Sequence, residues 1–230
     1  KVPALPLHNR LLLAILQPLM RMGKKPDSLH GVAISEHNTG SSTVRVYTPE
    51  GELSGAGLLW IHGGGYIIGT PSMNDRECAL YARDLKMIVV SAGYRLAPKH
   101  PFPAGMDDCF AAWQWFLNNA ADLGVNPQRI AISGQSAGGG MAAGLVQRIH
   151  DCGGIQPAGQ ALFCPMIDDR TATKTELDVI KHKMWTNVNN RGGWRHYLGI
   201  APGSANVPKY AAPARREDLS GLPPTWIAIG

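Results

Sequence analysis

The 230-residue sequence predicts an α/β fold, in which a mostly parallel central sheet is flanked by helices. Short apolar runs typical of strands alternate along the chain with helical patterns. The later runs are almost continuous in Val, Ile and Leu, as expected for strands that are buried on both faces. The composition, 44% hydrophobic and 17% charged, is typical of a globular domain.

Seven apolar segments predict strands, at 32–37, 43–48, 57–62, 87–94, 129–134, 160–167 and 225–229. The turn sequence N-T-G-S-S joins the first two, so we expect the sheet to begin with an antiparallel hairpin. Helical patterns lie between the later strands, at 74–85, 106–123 and 136–150. This alternation predicts parallel pairing in the rest of the sheet.

Charge, cysteine spacing and hydropathy exclude several classes of partner. The net charge is +5, but the basic residues are dispersed, which predicts no nucleic-acid surface. The apolar run at 11–20 is too short to span a bilayer, so we expect no membrane insertion. The four cysteines are far apart and form no C-x-x-C pair, which indicates free thiols in a cytoplasmic protein and no metal site.

Ser136 lies in the sequence G-Q-S-A-G, between a predicted strand and a predicted helix. This context is typical of a nucleophile elbow, a tight turn that exposes a serine hydroxyl. Gly134 and Gly138 would relieve crowding on either side of the turn. The same stretch also allows another interpretation, because G-G-G-M-A-A at 138–143 fits a dinucleotide-binding fingerprint.

A second glycine-rich motif, H-G-G-G at 62–65, directly follows a predicted buried strand. Glycines at a strand end allow backbone N–H groups to point at a ligand, as an oxyanion hole requires. We therefore predict that the oxyanion donors are the N–H groups of Gly63, Gly64 and Ala137. His62 precedes the serine in the chain, and we expect it, together with Gly65, to support this loop.

With these motifs the chain resembles the hormone-sensitive-lipase-like branch of the α/β-hydrolases, the bacterial carboxylesterases that carry H-G-G-G and G-[DQ]-S-A-G-G. The resemblance covers nearly the whole chain. Its motifs follow the family's order, with HGGG at 62–65, YRLAPKHPFPA at 94–104, GQSAGG at 134–139, PMIDD at 165–169 and LPPTWIAIG at 222–230. Two departures, Gln135 in place of Asp and Lys99 in place of Glu, remove no catalytic group.

The resemblance implies a domain organisation and an activity. Residues 1–30 and 172–212 would form two parts of a helical cap, 31–171 the hydrolase core, and 213–230 a further core strand. The implied activity is hydrolysis of short-chain carboxylic esters, which are small molecules that would react with Ser136. The resemblance implies no cofactor and no metal.

A catalytic base is the missing part of this pattern. His150 is expected about 20 Å from Ser136, at the far end of the same helix. His182 and His196 fall in the predicted cap, and Asp168 and Asp169 follow a strand, but nothing marks any of them as a triad member. In the family, the acid follows the strand that reads TWIAI here, and the histidine follows one more strand.

We therefore expect an incomplete hydrolase, in which the catalytic acid, the base and the last strand and helices are not in this chain. The strand at 225–229 would then be an unpaired edge, which favours a homodimer or another association there. Two other functions stay open from the sequence. One is a non-catalytic binding protein on the same scaffold, like the plant gibberellin receptors, and the other is a nucleotide-binding enzyme.

Overall fold

The computed structural model describes residues 9–22, 26–180, 182 and 185–229. Parts of the predicted cap, namely residues 1–8, 23–25, 181, 183 and 184, lie outside the described residues, as does Gly230 at the end of the predicted last strand.

The described residues form one eight-stranded sheet with the strand order 1-2-3-5-4-6-7-8. Its strands are β1 (Ser28–Leu29), β2 (Val32–Asn38), β3 (Thr43–Pro49), β4 (Gly57–Ile61), β5 (Ile88–Ala92), β6 (Ile130–Gln135), β7 (Gln160–Phe163) and β8 (Thr225–Ala228). The pairings of β1 with β2, β2 with β3 and β3 with β5 are antiparallel, and all the later pairings are parallel. The predicted α/β fold and the predicted hairpin at the start of the sheet are confirmed.

Five α-helices lie in the described part of the chain: α1 (Arg10–Arg21), α2 (Asp75–Leu85), α3 (Ala104–Asn119), α4 (Ala137–Cys152) and α5 (Asn187–Leu198). Alternate residues of β4 point to opposite faces of the sheet, as in any strand. Leu58 and Trp60 belong to the apolar cluster that includes Ala79 and Ala82 of α2. Leu59 and Ile61 belong to the larger cluster that includes α3 and α4. The sheet is therefore covered by helices on both faces.

Two element boundaries differ from the sequence-based expectation. The strand predicted over 160–167 ends at Phe163, because Cys164 adopts a left-handed φ of 43° and Pro165 has no N–H to donate. At the other end, Ser28 and Leu29 already pair with β2 across a tight turn, so the sheet begins before residue 31, where the predicted core starts.

The segments that the sequence assigns to a cap contact the core through a few specific side chains. On α1, the Gln17 amide donates hydrogen bonds of 2.8 Å to the carbonyls of both Ile67 and Ala97. On α5, the Tyr197 ring stacks on Tyr66 with ring centres 4.0 Å apart. No helix in the described ranges is both long and apolar enough to cross a membrane.

Asp169 joins three segments that are distant in sequence. Its carboxylate accepts hydrogen bonds of 2.7 and 2.9 Å from the Arg215 guanidinium and one of 2.6 Å from the Gly203 N–H. The Asp169 side chain is fully buried, so its charge depends on these donors for compensation. The neighbouring Asp168 is paired with Arg170 near the surface.

We expect Asp169→Asn to lower the free energy of unfolding by about 2 kcal/mol, because it removes a fully buried acceptor and leaves the partly exposed Arg215 guanidinium without its carboxylate. Asp168→Asn is the matched control and should cost less than about 1 kcal/mol, since that pair is solvated. Urea unfolding followed by circular dichroism measures both. Equal effects at the two positions would contradict the structural role assigned to Asp169.

Candidate active site

Ser136 occupies a strained turn between β6 and α4. Its backbone angles are φ 56° and ψ −120°, a combination that is unfavourable for a residue with a side chain. The backbone around it fixes this conformation. The Ser136 N–H donates to the Phe163 carbonyl at 2.8 Å, and the Ser136 carbonyl accepts from the N–H groups of Met166 at 2.9 Å and Gly140 at 3.1 Å.

Gly134 and Gly138, on either side of Ser136, lie where the backbone leaves no room for a side chain. A methyl group at Gly134 would overlap the carbonyl of Gly138. A methyl group at Gly138 would overlap the carbonyls of Ile61 and His62, at the end of β4. The elbow and the strand that carries the H-G-G-G loop therefore approach each other backbone to backbone.

The Ser136 side chain is half-buried, and it does not cap α4. Its hydroxyl makes no hydrogen bond to any residue that the structure describes. It is therefore accessible for reaction, and no described group holds its proton.

The H-G-G-G loop lies directly against the elbow. A Cβ atom at Gly63 would lie 3.4 Å from the Ser136 Cβ and 3.0 Å from the Gln135 carbonyl oxygen. Gly64 has a φ of 119°, and a side chain there would overlap the Ile68 carbonyl. Among the described residues, no acceptor takes a hydrogen bond from the N–H groups of Gly63 and Gly64.

Ala137 is the first residue of α4, so its N–H has no acceptor within the helix. The N-terminus of a helix also carries partial positive charge. The predicted donors on Gly63, Gly64 and Ala137 thus come from two backbone segments that meet at Ser136. Such an arrangement can stabilise negative charge that develops on an oxygen bound to Ser136.

His62 is buried behind the loop. Its Nδ1 lies 2.7 Å from the Gly63 carbonyl oxygen, which can only accept, so Nδ1 donates. The ring stacks on Tyr94 with centres 4.2 Å apart, and the Tyr94 hydroxyl donates to the His62 carbonyl at 2.9 Å. Burial raises the pKa of Tyr94 well above the usual phenol value, which keeps this donor protonated. These contacts fit a loop-supporting role for His62.

Gly65 and Tyr66 extend the same support towards the predicted cap. The Trp185 ring occupies the space where a side chain at Gly65 would lie. The Tyr66 hydroxyl donates to the Met166 carbonyl at 2.7 Å, and the Met166 N–H bonds the Ser136 carbonyl. Sequence reasoning did not assign roles to Tyr66, Tyr94 or Trp185, although Tyr66 directly follows H-G-G-G and Tyr94 is the first residue of the motif at 94–104.

Both acidic candidates form ion pairs with arginines. Asp169 is fully buried and is paired with Arg215, whose side chain is partly exposed. Asp168 accepts from both the backbone N–H and the guanidinium of Arg170, whose hydrogen bond holds the pKa of Asp168 below its usual value. Neither carboxylate is hydrogen-bonded to a histidine within the described ranges.

The three histidines that follow Ser136 in the chain lie on separate elements. His150 is in the last turn of α4, where its ring abuts Gly221. His182 is exposed, and His196 lies on α5. In the described part of the structure, none of them is hydrogen-bonded to Ser136.

The dinucleotide interpretation meets a steric difficulty. The space beside Gly139 is filled by Pro165, and the space beside Gly140 is filled by the Met166 carbonyl and the Tyr66 hydroxyl. These glycines thus allow close packing of the protein on itself.

The described residues also contain no group of three or more His, Cys, Asp or Glu side chains that could hold a metal ion.

Comparisons with known proteins identify the same fold. A family model described as the α/β-hydrolase fold matches residues 58–230. Esterase LipI of Mycobacterium tuberculosis is 36% identical over 177 residues, which cover 75% of this chain and 53% of that protein. Carboxylesterase NlhH of the same organism is 34% identical over 228 residues, covering 91% of this chain and 68% of that protein.

Solved structures are similar as well. A bacterial heroin esterase superposes with a TM-score of 0.84 at 37% identity, and the match covers 98% of this chain and 75% of that one. The chain thus spans about half the length of esterase LipI and about three quarters of the heroin esterase.

We expect Gly138→Ala to lower the free energy of unfolding by about 2 kcal/mol or more, since the new methyl group meets backbone carbonyls that cannot move aside. Helix propensity alone predicts the opposite sign, a gain of about 1 kcal/mol. Gly154→Ala is the control, because it has a φ of 87° and open space around it, and should cost only about 1–2 kcal/mol from backbone strain. A Gly138→Ala protein more stable than wild type in urea unfolding would contradict the packing argument.

Proposed function

The chain belongs to the α/β-hydrolase family, in its hormone-sensitive-lipase-like carboxylesterase branch, and from this premise we propose that it hydrolyses short-chain carboxylic esters through an acyl-enzyme on Ser136. One observation carries the proposal. The H-G-G-G backbone lies against a strained, accessible serine at the N-terminus of a helix. The names of the similar proteins, an esterase, a carboxylesterase and a heroin esterase, support an ester substrate.

The reaction follows from this arrangement. The Ser136 oxygen attacks the ester carbonyl carbon, and a base takes the serine proton. The negative charge that forms on the former carbonyl oxygen accepts hydrogen bonds from the N–H groups of Gly63, Gly64 and Ala137. Collapse of this intermediate expels the alcohol, which receives the proton from the base. Water then attacks the acyl-serine in the same way and releases the carboxylic acid.

We propose that the base and the acid that orients it are not among residues 1–230. Asp168 and Asp169 already bind arginines, and His150, His182 and His196 lie on separate elements. A serine without a base is a weak nucleophile, so residues 1–230 alone are proposed to be inactive.

The outer edge of β8 is proposed as a surface for association, with a second copy of the chain or with another polypeptide. β8 pairs with β7 on one side, and it lies at one end of the described sheet. Trp226 and Ile227 are about half exposed there, and such apolar edges favour pairing with other strands. The four thiols, Cys78, Cys109, Cys152 and Cys164, are free, which fits the proposed cytoplasmic location.

We expect Ser136→Ala to reduce the hydrolysis of p-nitrophenyl butyrate by the native protein by at least about 10³-fold, because no other group can form the acyl intermediate. Ser133→Ala is the matched control. Ser133 lies on β6, three residues before Ser136, and donates to the Ala161 carbonyl, so its loss should affect stability and leave kcat within about threefold. Wild-type kcat in the Ser136→Ala protein would contradict the proposed nucleophile.

The assignment of the base is tested separately. We expect the single variants His150→Gln, His182→Gln and His196→Gln of the native protein to keep kcat within about threefold, whereas removal of the general base would cost about 10²-fold or more. Steady-state kinetics across pH 5–9 would measure this. A variant that loses both its activity and the pH dependence of kcat would identify its histidine as the base and contradict the proposal.

A further inference from the structure

A long groove separates α1 from α5. It consists of two adjoining cavities of about 750 and about 650 Å³, which share Arg10 and Pro98 in their walls, and we call it the α1–α5 groove. Each volume lies in the range that is usual for small-ligand sites. Among the described residues, the lining includes no member of the elbow or of the H-G-G-G loop. The groove is therefore described by side chains other than those that surround Ser136.

The floor of the groove is apolar. Leu13 and Leu96 are buried beneath it, and Ala14 and Pro98 line the larger cavity above them. Val188 of α5 adds an apolar side chain to the smaller cavity. An alkyl chain would find apolar side chains in both cavities, from which water can be displaced.

The rim of the groove is cationic. Arg10, Lys99 and Arg195 are exposed on it, and none of them forms an ion pair with a carboxylate in the described ranges. Arg191 lines the same cavity as Arg195 but is paired with Asp178 at 2.8 Å. Within the described lining there is no aspartate or glutamate. In the described lining, three cations thus surround an apolar floor without a carboxylate to balance them.

We propose that the α1–α5 groove binds an amphiphilic anion, namely a single-chain carboxylate. The alkyl chain would lie on the apolar floor, and the carboxylate would accept hydrogen bonds from Arg10, Lys99 or Arg195. Charge complementarity supports this class of ligand, because an anion relieves the mutual repulsion of the three cations. Guanidinium groups also match the two oxygens of a carboxylate geometrically.

Isothermal titration calorimetry with sodium decanoate, below its micelle concentration, tests the proposal directly. Decanoate should bind, and its affinity should fall with added NaCl because part of the attraction is electrostatic. Acetate should bind more than about tenfold more weakly, since each buried methylene contributes about fourfold. Decyltrimethylammonium has the same alkyl chain with the opposite charge and should also bind more than about tenfold more weakly.

Variants of the rim identify the site. Arg10→Gln, Lys99→Gln and Arg195→Gln should each weaken decanoate binding by about threefold, and the triple variant by more than about tenfold. Arg76→Gln is the matched control, because Arg76 is an exposed arginine on α2 that does not line the groove. Its affinity should equal that of wild type. Thermal unfolding confirms that each variant is folded.

Three results would overturn the proposal. Wild-type affinity in the triple variant would place decanoate elsewhere, including the cleft at Ser136. Equal binding of decanoate and decyltrimethylammonium would show an apolar surface without selection for an anion. Sedimentation of the protein with phosphatidylglycerol vesicles, without binding of monomeric decanoate, would show that the rim recognises an anionic lipid surface.

Discussion

The structure depends on one close approach, where the helix that follows Ser136 meets the end of β4. At Gly138 the carbonyls of Ile61 and His62 occupy the space that a side chain would need. This contact sets the distance between the elbow and the H-G-G-G loop, and so the distance between the nucleophile and its proposed oxyanion donors. Gly63 then completes the contact against the Ser136 Cβ. The rest of the fold holds these two backbone segments in register.

Strand pairing and aromatic packing provide that support. β4 and β6 are parallel neighbours, so their carboxyl ends, which carry His62 and Ser136, emerge at the same edge of the sheet. Behind the loop, His62 stacks on Tyr94. In front of it, Tyr66 contacts both Tyr197 of α5 and the Met166 carbonyl. Tyr94 and Tyr66 therefore both support the loop, and the hydroxyl group of each donates to a backbone carbonyl.

The sequence predicted the sheet and the glycine motifs because both have local signals. Apolar runs mark buried strands, and a glycine next to a serine or at a strand end indicates a backbone that needs space. It could not predict the contact of Trp185 with Gly65 or the ion pair of Asp169 with Arg215. Those partners are 120 and 46 positions apart in the chain, and no spacing rule connects them. The end of the strand at Phe163 was missed because its apolar pattern continues to Ile167, while a left-handed residue and a proline end the pairing.

The loop glycines differ in what stands opposite them, and this has an evolutionary consequence. Gly64 faces the main-chain carbonyl of Ile68, which every residue type at position 68 would present. Gly65 faces the Trp185 ring, and a side chain can be exchanged. Substitution of Gly64 is therefore not tolerated during evolution, since no change at a second position can make room for a side chain there. Positions 65 and 185 are coupled, so that a residue such as Asn, which tolerates the left-handed conformation, becomes accessible at 65 only in lineages where the tryptophan has first been replaced by a smaller residue.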